Sequence, residues 1–377
     1  MTHPRRVLEL SSSIAGAYAS RLLGDLGWDV VMVEPSEGDP RRRTPSRWGT
    51  AHGAAFAAMS AGKRSVVASA EDIERLAAQA DVVVGDFRAR PLGQIGLGVD
   101  AFERLAPGHA VVSVTPFGLT GPKRGWEASD LTVEAASGLM FLTGEADQPP
   151  QQLAPYQAEL TGGVMAASAA LAALRLGEEH EVARIDVSLQ EAMATHTFQA
   201  VGPYVYYGEV ARREQRIKAG LRMVPTSDGY VYCAPGAVNS MRMDGIAQLL
   251  DEPRLAEERF QTAEGRMTHW DEFIELFVPP FRQKTAQEWF EAAEALHMTF
   301  ALVQTIEDLF GCPQLGSRDF LRDVTTEDGR TLTVPLLPYI TSSPEVRNAS
   351  SPVPSVPAVG EHTAEVLGEW LSGATAR

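Results

Sequence analysis

Residues 7–33 hold this chain to one kind of fold. VLEL at 7–10 is an apolar run of strand length, 15–26 has helical spacing with Leu22, Leu23 and Leu26 on one face before Gly27, and VVMV at 30–33 is a second apolar run closed by Glu34-Pro35. Strand, helix and strand in that order make a parallel pair with a crossover, and a parallel sheet requires helices on both faces. Further buried strands are expected at 65–68, 82–84 and 110–114, with helical stretches such as 71–79 between them. The expectation is an α/β, doubly wound, Rossmann-like sheet whose ligand sits at the C-terminal ends of the strands. The first unit has no GxGxxG, so a dinucleotide is not indicated.

Beyond residue 130 the pattern changes. Helices are expected at 130–140 and at 160–176, the second very rich in alanine, followed by a strand at 185–189 and a helix over 190–207 with an aromatic end. Residues 208–224 are polar and basic, as in a linker. A second domain then opens with a turn at Ser227-Asp228-Gly229 and a strand at 230–234, and continues with amphipathic helices near 239–250, 268–282, 285–296 and 304–310, whose Met, Trp and Tyr residues read as core. Residues 341–360, rich in Ser, Pro and Val, read as an extended segment, and a last helix covers 363–371. Two domains also suit 377 residues of which 44% are apolar.

Charge narrows the function. The net charge of −16 argues against a general binder of nucleic acid or anionic membrane. Residues 1–130 carry 15 Lys and Arg against 15 Asp and Glu, so the whole negative excess lies in 131–377 and the first third is where an anionic ligand is tolerated. Its cations are clustered: Arg41, Arg42, Arg43 and Arg47; Lys63 and Arg64; Arg88 and Arg90; Lys123 and Arg124. Any one cluster reads first as solvating charge, whereas four of them in loops or just after strands point to an anion. Cys233 and Cys312 cannot build a disulfide framework, a Cys-rich zinc site or a CxxC redox pair. The N-terminal stretch lacks a secretory apolar region and no run approaches a membrane span, so a cytoplasmic, reducing location is expected.

VLELSSSIAGAYASRLLGDLGWDVVMVEP, GKRSV, ADVVVGDFRARPLGQIGLG, VSVTPFGLTGP, SDLTVEAASGLMFLTG, the helix after AELTGG, and PTSDGYVY follow one another as in the family III CoA-transferases, the group of formyl-CoA transferase, carnitine CoA-transferase and α-methylacyl-CoA racemase. The similarity covers about residues 5–325 and, more weakly, the C-terminal helix. It implies a Rossmann-like large domain of 1–195 completed by 355–377, a linker at 196–224, a smaller domain of 225–325 and a return linker at 326–354. It further implies an interlocked homodimer and a CoA thioester as substrate, with no permanently bound cofactor or metal and with an acyl-CoA and a carboxylic acid as partners. By matching position, Ser12, Ile14 and Ala15 correspond to the loop that contacts CoA, and Lys63 and Arg64 to a basic pair near its phosphates. Asp86, Phe87 and Arg88 correspond to an Asn-Phe-Arg segment along the adenine and pantetheine path, and Gln94 and Ile95 to the wall beyond it; Lys123 joins them as a cation. The loop of Arg41–Arg43 is expected to be exposed and of less consequence.

The family nucleophile is an aspartate before a Gly-containing helix, and the matching residue here is Glu159. The reaction needs a carboxylate that attacks acyl-CoA, forms a mixed anhydride, takes back CoA and exchanges carboxylates. A helix N-terminus favours the anion by ~0.3–1 kcal/mol, and Gly162 and Gly163 are expected to leave room for the thioester. Read from the residues alone, Glu159 is first a helix carboxylate of the opening turn without chemistry. Asp130 matches a carboxylate near the active centre and equally reads as an N-cap. Ser129 stands where the racemase branch has histidine, which disfavours proton transfer at Cα. The glycine-rich loop that shields the intermediate is reduced to Ala219-Gly220, and His196 reads as a packed or interface histidine. An acyl-CoA hydrolase, isomerase or lyase with Glu159 as base, or a CoA-binding protein without turnover, are the alternative classes.

Overall fold

The computed structural model describes residues 4–43, 53–145, 148–176, 181–213, 223–233, 243–326, 328–342 and 354–372. Its first 208 residues contain β1 (Arg6–Leu10), α1 (Ile14–Asp25), β2 (Asp29–Val33), α2 (Ala54–Ser60), β3 (Arg64–Val66), α3 (Ala70–Ala77), β4 (Val82–Gly85), α4 (Ala89–Gln94), α5 (Ala101–Arg104) and β5 (Ala110–Thr115), then α6 (Asp130–Ala136), α7 (Gln157–Ala173), β6 (Ala183–Ser188), α8 (Leu189–Ala194) and α9 (Phe198–Tyr207). The six strands form one sheet in the order β3-β2-β1-β4-β5-β6, every neighbouring pair parallel.

The apolar runs are continuous because the inner strands are covered on both sides. Successive side chains alternate between the two faces. Val7, Val82, Val84, Val112 and Val114 pack with Ala15, Ala19 and Leu23 of α1 and with Ala158, Ala166 and Ala170 of α7. Leu8, Leu10, Val83 and Val111 face the other way, onto Ile73 and Leu76 of α3, Leu92 of α4, and Val366 and Trp370 of the C-terminal helix Thr363–Ser372. Fully burying a side chain of this size is worth about 1.5–3 kcal/mol. The indole of Trp370 also donates to Asp29 Oδ2 at 3.0 Å, tying the chain end to the start of β2.

Two compact units result. The first comprises residues 1–140, 152–208 and 313–377. It includes a hairpin of Leu321–Thr325 and Thr331–Pro335 at a place expected to hold the end of the small domain and a return linker. The second comprises 141–151 and 209–312 and has a three-stranded antiparallel sheet of Met223–Pro225, Tyr230–Cys233 and Phe300–Leu302, the middle strand being the one expected at 230–234. Its core is aromatic: Phe260, Phe273, Phe277, Phe281, Trp289 and Phe300 pack together, and the Trp289 indole donates to Phe281 O at 2.8 Å.

Several helices differ from expectation. That expected at 268–282 is Trp270–Phe277 followed by a 3-10 turn, since Pro279 and Pro280 cannot continue the backbone ladder. The helix expected over 190–207 is broken at Thr195–Thr197. That expected at 130–140 ends at Ala136, where Gly138 takes a φ of 84°. Among the described residues no helix is long and apolar enough to cross a membrane. Arg47, Ala219-Gly220 and most of 341–360 lie outside the described residues.

Candidate active site

The strand order reverses between β1 and β4, and their C-terminal ends open a crevice where open α/β sheets hold their ligands. The loop after β1 is tightly bound. Ser13 caps α1 by accepting from Gly16 N–H at 3.2 Å, and its hydroxyl lies 3.0 Å from that of Ser11. Residue 16 must be glycine here, because a Cβ would stand 2.2 Å from Ser11 Oγ. Ser12 is half-buried, whereas Ile14 and Ala15 are buried, so the N-terminal amides of α1 are the groups the loop offers.

Glu159 reaches this loop from α7. One carboxylate oxygen, Oε2, accepts the Ala15 N–H at 2.7 Å. Helix α7 starts after Tyr156, which sits in the left-handed region (φ 69°) and gives no side-chain cap. The cap comes from Asp130 at the start of α6: its Oδ1 accepts from Ala158 N–H at 2.9 Å and from Glu159 N–H at 3.2 Å. Ser129 is the N-cap of α6, on Thr132 N–H, and Asp130 caps the neighbouring helix. Asp130 is therefore not the cap of its own helix but holds the Ala158 and Glu159 amides at the start of the next one. Its other oxygen, Oδ2, is buried without a hydrogen-bond partner among the described residues.

The helix terminus is not the largest influence on the ionisation of Glu159. Burial dominates and raises its pKa above the usual carboxylate range; the Ala15 N–H opposes this, Asp130 adds to it, Arg41 opposes it and Asp86 adds to it. A carboxylate of raised basicity, held at one oxygen, can act as nucleophile or base. Gly162 and Gly163 also depart from expectation. Both are buried in helix packing and leave no space for a thioester: a Cβ at Gly163 would lie 2.8 Å from Ala15 O and 3.0 Å from Tyr18, and one at Gly162 would lie 2.1 Å from Leu189.

The basic clusters separate into two kinds. Lys63 is buried, its Nζ donating to Glu9 Oε2 at 2.7 Å and Ala17 O at 2.8 Å, and burial lowers its pKa although Glu9 raises it. Arg64 binds Asp29, Glu365 and Glu369. The pair expected near phosphates is thus tied to the protein's own carboxylates. Arg41 and Arg42 are likewise not exposed: Arg41 is bound to Asp39 and the loop carbonyls, and Arg42 to Glu34 and Pro357 O.

After β4, buried Asp86 holds the Arg88 guanidinium with Nε at 2.8 Å and Nη2 at 2.5 Å, and Arg88 also reaches Glu127 at 3.0 Å. Phe87 meets Phe102 edge-on at 5.3 Å. Beside them a cavity of about 520 Å³ is lined by Phe87, Arg88, Arg90, Phe102, Leu119 and Arg124 among others. Arg90 and Arg124 are exposed and make no ion pair among the described residues. Lys123 lies over the rings of Phe117 (5.3 Å) and Trp126 (5.6 Å). Gln94 is exposed on α4, and Ile95 packs into the core beneath it. His196 is exposed beside α9, whose Phe198, Tyr204, Tyr206 and Tyr207 are also exposed, the last two to 81% and 78%. Arg41 and Glu9 lie outside the expected site residues; the sequence signal for Glu9 is an acid inside an otherwise apolar strand.

The chain matches the model of CoA-transferase family III over residues 4–363. It is 30% identical to the succinate–glutarate CoA-transferase of Agrobacterium fabrum, over 97% of this chain and 94% of that one. It is 28% identical to the succinyl-CoA:mesaconate CoA-transferase of Haloarcula hispanica, over 97% and 95%. Among solved structures it resembles a CAIB/BAIF family protein from Brucella suis (26% identical, 97% of this chain and 98% of that one, TM-score 0.84). With a match along nearly its whole length and a six-stranded parallel sheet, this chain belongs to CoA-transferase family III.

Proposed function

We propose that the protein is an acyl-CoA:carboxylate CoA-transferase with Glu159 as the nucleophile. A free Glu159 oxygen attacks the thioester carbonyl, the C–S bond breaks, and CoA leaves as thiolate from a mixed anhydride of Glu159 and the acyl group. The thiolate then attacks the glutamyl carbonyl, releasing the donor acid and leaving a glutamyl-CoA thioester. The acceptor carboxylate attacks that thioester, giving a second anhydride, and the returning thiolate takes the new acyl group and frees Glu159. The observation that carries this reading is the Glu159 carboxylate held on the Ala15 amide at the crevice between β1 and β4. An amide aimed at that oxygen favours the charge that returns to it when the anhydride opens.

For CoA itself, Phe87 and Phe102 offer an aromatic wall for adenine, and Arg90 and Arg124, without an ion pair among the described residues, offer with Lys123 cations for its phosphates. Ser12, Ile14, Ala15, Gln94 and Ile95 border the pantetheine path; Lys63, Arg64 and the paired Asp86 and Arg88 support it from within. The names of the relatives favour short dicarboxylic acids as acyl groups, with succinyl-CoA as donor. The uncovered aromatic face of α9 supports a homodimer, interlocked as its family likeness implies.

Intact-protein mass spectrometry after rapid acid quench tests the mechanism. Succinyl-CoA alone is expected to give an acyl or CoA adduct that maps to Glu159, and hydroxylamine to trap one hydroxamate per site; transfer is expected to vanish in Glu159→Gln. The raised pKa of Glu159 favours one other reading, a base in acyl-CoA hydrolysis or isomerisation. Turnover with no adduct would establish that alternative.

A further inference from the structure

A row of buried and half-buried charges lies under the loop between β1 and α1. Lys63 is bound to Glu9, and the other Glu9 oxygen stands 3.8 Å from Arg41. Asp39 grips Arg41 with both oxygens, Nε to Oδ1 at 2.9 Å and Nη2 to Oδ2 at 2.6 Å. So held, Arg41 donates from Nη1 to Ser13 O at 2.5 Å and from Nη2 to Ser11 O at 3.0 Å. Ser13 is the N-cap of α1, and two residues later the Ala15 N–H holds Glu159.

We propose that Arg41 is the positioning residue of this site: by fixing the two carbonyls that flank Ser12 it aims the Ala15 amide at Glu159, and it sets a half-buried positive charge under the loop that holds that carboxylate. The inference rests on Glu159 as the reacting group. Only a guanidinium can serve both carbonyls and the Asp39 carboxylate at once, since a lysine ammonium is a single point of charge. The charges facing Glu159 are Asp130 from α6, Asp86 from the segment after β4, and Arg41 from the turn after β2. Burial lowers the pKa of Arg41, but the carboxylates facing it, Asp39, Glu9 and Glu159, outweigh that and hold it above the ordinary value, with Lys63 the like charge nearby. Removing the Arg41 charge leaves Glu159 with two carboxylates around it, so its proton must be held more tightly. Removing only the geometry leaves the titration in place and disturbs the aim.

The test reads the ionisation of Glu159 directly, by infrared difference spectra of protein labelled with ¹³C-carboxylate glutamate, referenced to Glu159→Gln. Steady-state kinetics with succinyl-CoA and glutarate run in parallel. In Arg41→Gln the Glu159 titration is expected to move up by about one pH unit and kcat to fall roughly ten- to a hundredfold, with the KM for the CoA ester changing less than about threefold, the carbonyl-bound loop being displaced rather than lost. In Arg41→Lys the titration stays at the wild-type pH while kcat still falls. Arg42→Gln, which breaks the neighbouring pair with Glu34, leaves the titration unchanged. An unmoved titration in Arg41→Gln, an equal shift in Arg42→Gln, or wild-type kcat in Arg41→Lys overturns the proposal, and the last serves even if Arg41→Gln does not fold. An Arg41-dependent titration in a protein that forms no adduct at Glu159 would remove the nucleophile and leave the positioning role standing.

Discussion

Replacing Gly163 by alanine probes the link between helix packing and catalysis at one atom. The new Cβ would stand 2.8 Å from Ala15 O, against about 3.4 Å for an ordinary contact, so α1 and α7 must separate by roughly 0.6 Å at this point. The carbonyl that is pushed belongs to the same residue as the N–H that holds Glu159. Displaced along that line, the 2.7 Å bond lengthens to about 3.3 Å, at the limit of hydrogen bonding. Overpacking costs about 1–3 kcal/mol, and the helix propensity of alanine returns up to about 1 kcal/mol. The expected result is a modest fall in the urea midpoint with a ten- to hundredfold fall in kcat, in line with the sensitivity of rates to ~1 Å errors. Gly162→Ala meets a leucine side chain rather than the loop backbone, so it is expected to lose stability with a smaller loss of rate. If urea titrations and kcat show the reverse order, or a fully active Gly163→Ala, the coupling argued here is wrong.

Arg90→Ala with Arg124→Ala is expected to weaken CoA binding by about 1.5–3 kcal/mol for each charge-assisted bond lost, and unchanged calorimetric affinity would move the phosphates elsewhere. Lys63→Met leaves Glu9 buried without its ammonium partner; a loss of stability of about 3–5 kcal/mol in chemical unfolding is expected. Burial raises the pKa of Glu134 above the carboxylate range, opposed by the Leu153 N–H and assisted by Asp130. The folded state therefore keeps a proton that the unfolded chain loses near about pH 4.3, and the stability this gives disappears as pH rises through the folded value. Glu134→Gln should accordingly unfold at a higher urea midpoint than wild type at about pH 8 and at the same midpoint below about pH 4. Light scattering is expected to show a dimer at micromolar concentration, and aspartate at both Tyr206 and Tyr207 to give monomers; a monomeric wild type would refute the reading of α9.

The parallel sheet was legible in the order of residues because its requirements are local. A strand buried on both faces must be almost wholly apolar, and VVMV, VVVG and, but for Glu9, VLEL meet that condition without reference to their neighbours. The loop after β1, the segment after β4 and the helix carrying Glu159 followed from that order. The short strands Met223–Pro225 and Phe300–Leu302 did not, since three residues carry too little pattern and pairing with Tyr230–Cys233 stabilises them. The same division runs through the site. The sequence by itself determined that a glutamate stands beside a glycine pair at the head of an alanine-rich helix, and that the cations of the first third are clustered. It could not say which cations are free, because ion pairing joins residues as distant as Lys63 and Glu9, or Arg64 and Glu369. Only the tertiary structure decided that Lys63, Arg64, Arg41 and Arg88 face internal carboxylates while Arg90 and Arg124 have no ion pair among the described residues. It also decided that burial of Glu159 outweighs the helix terminus, since desolvation depends on everything packed around a charge and a sequence records only its neighbours in the chain.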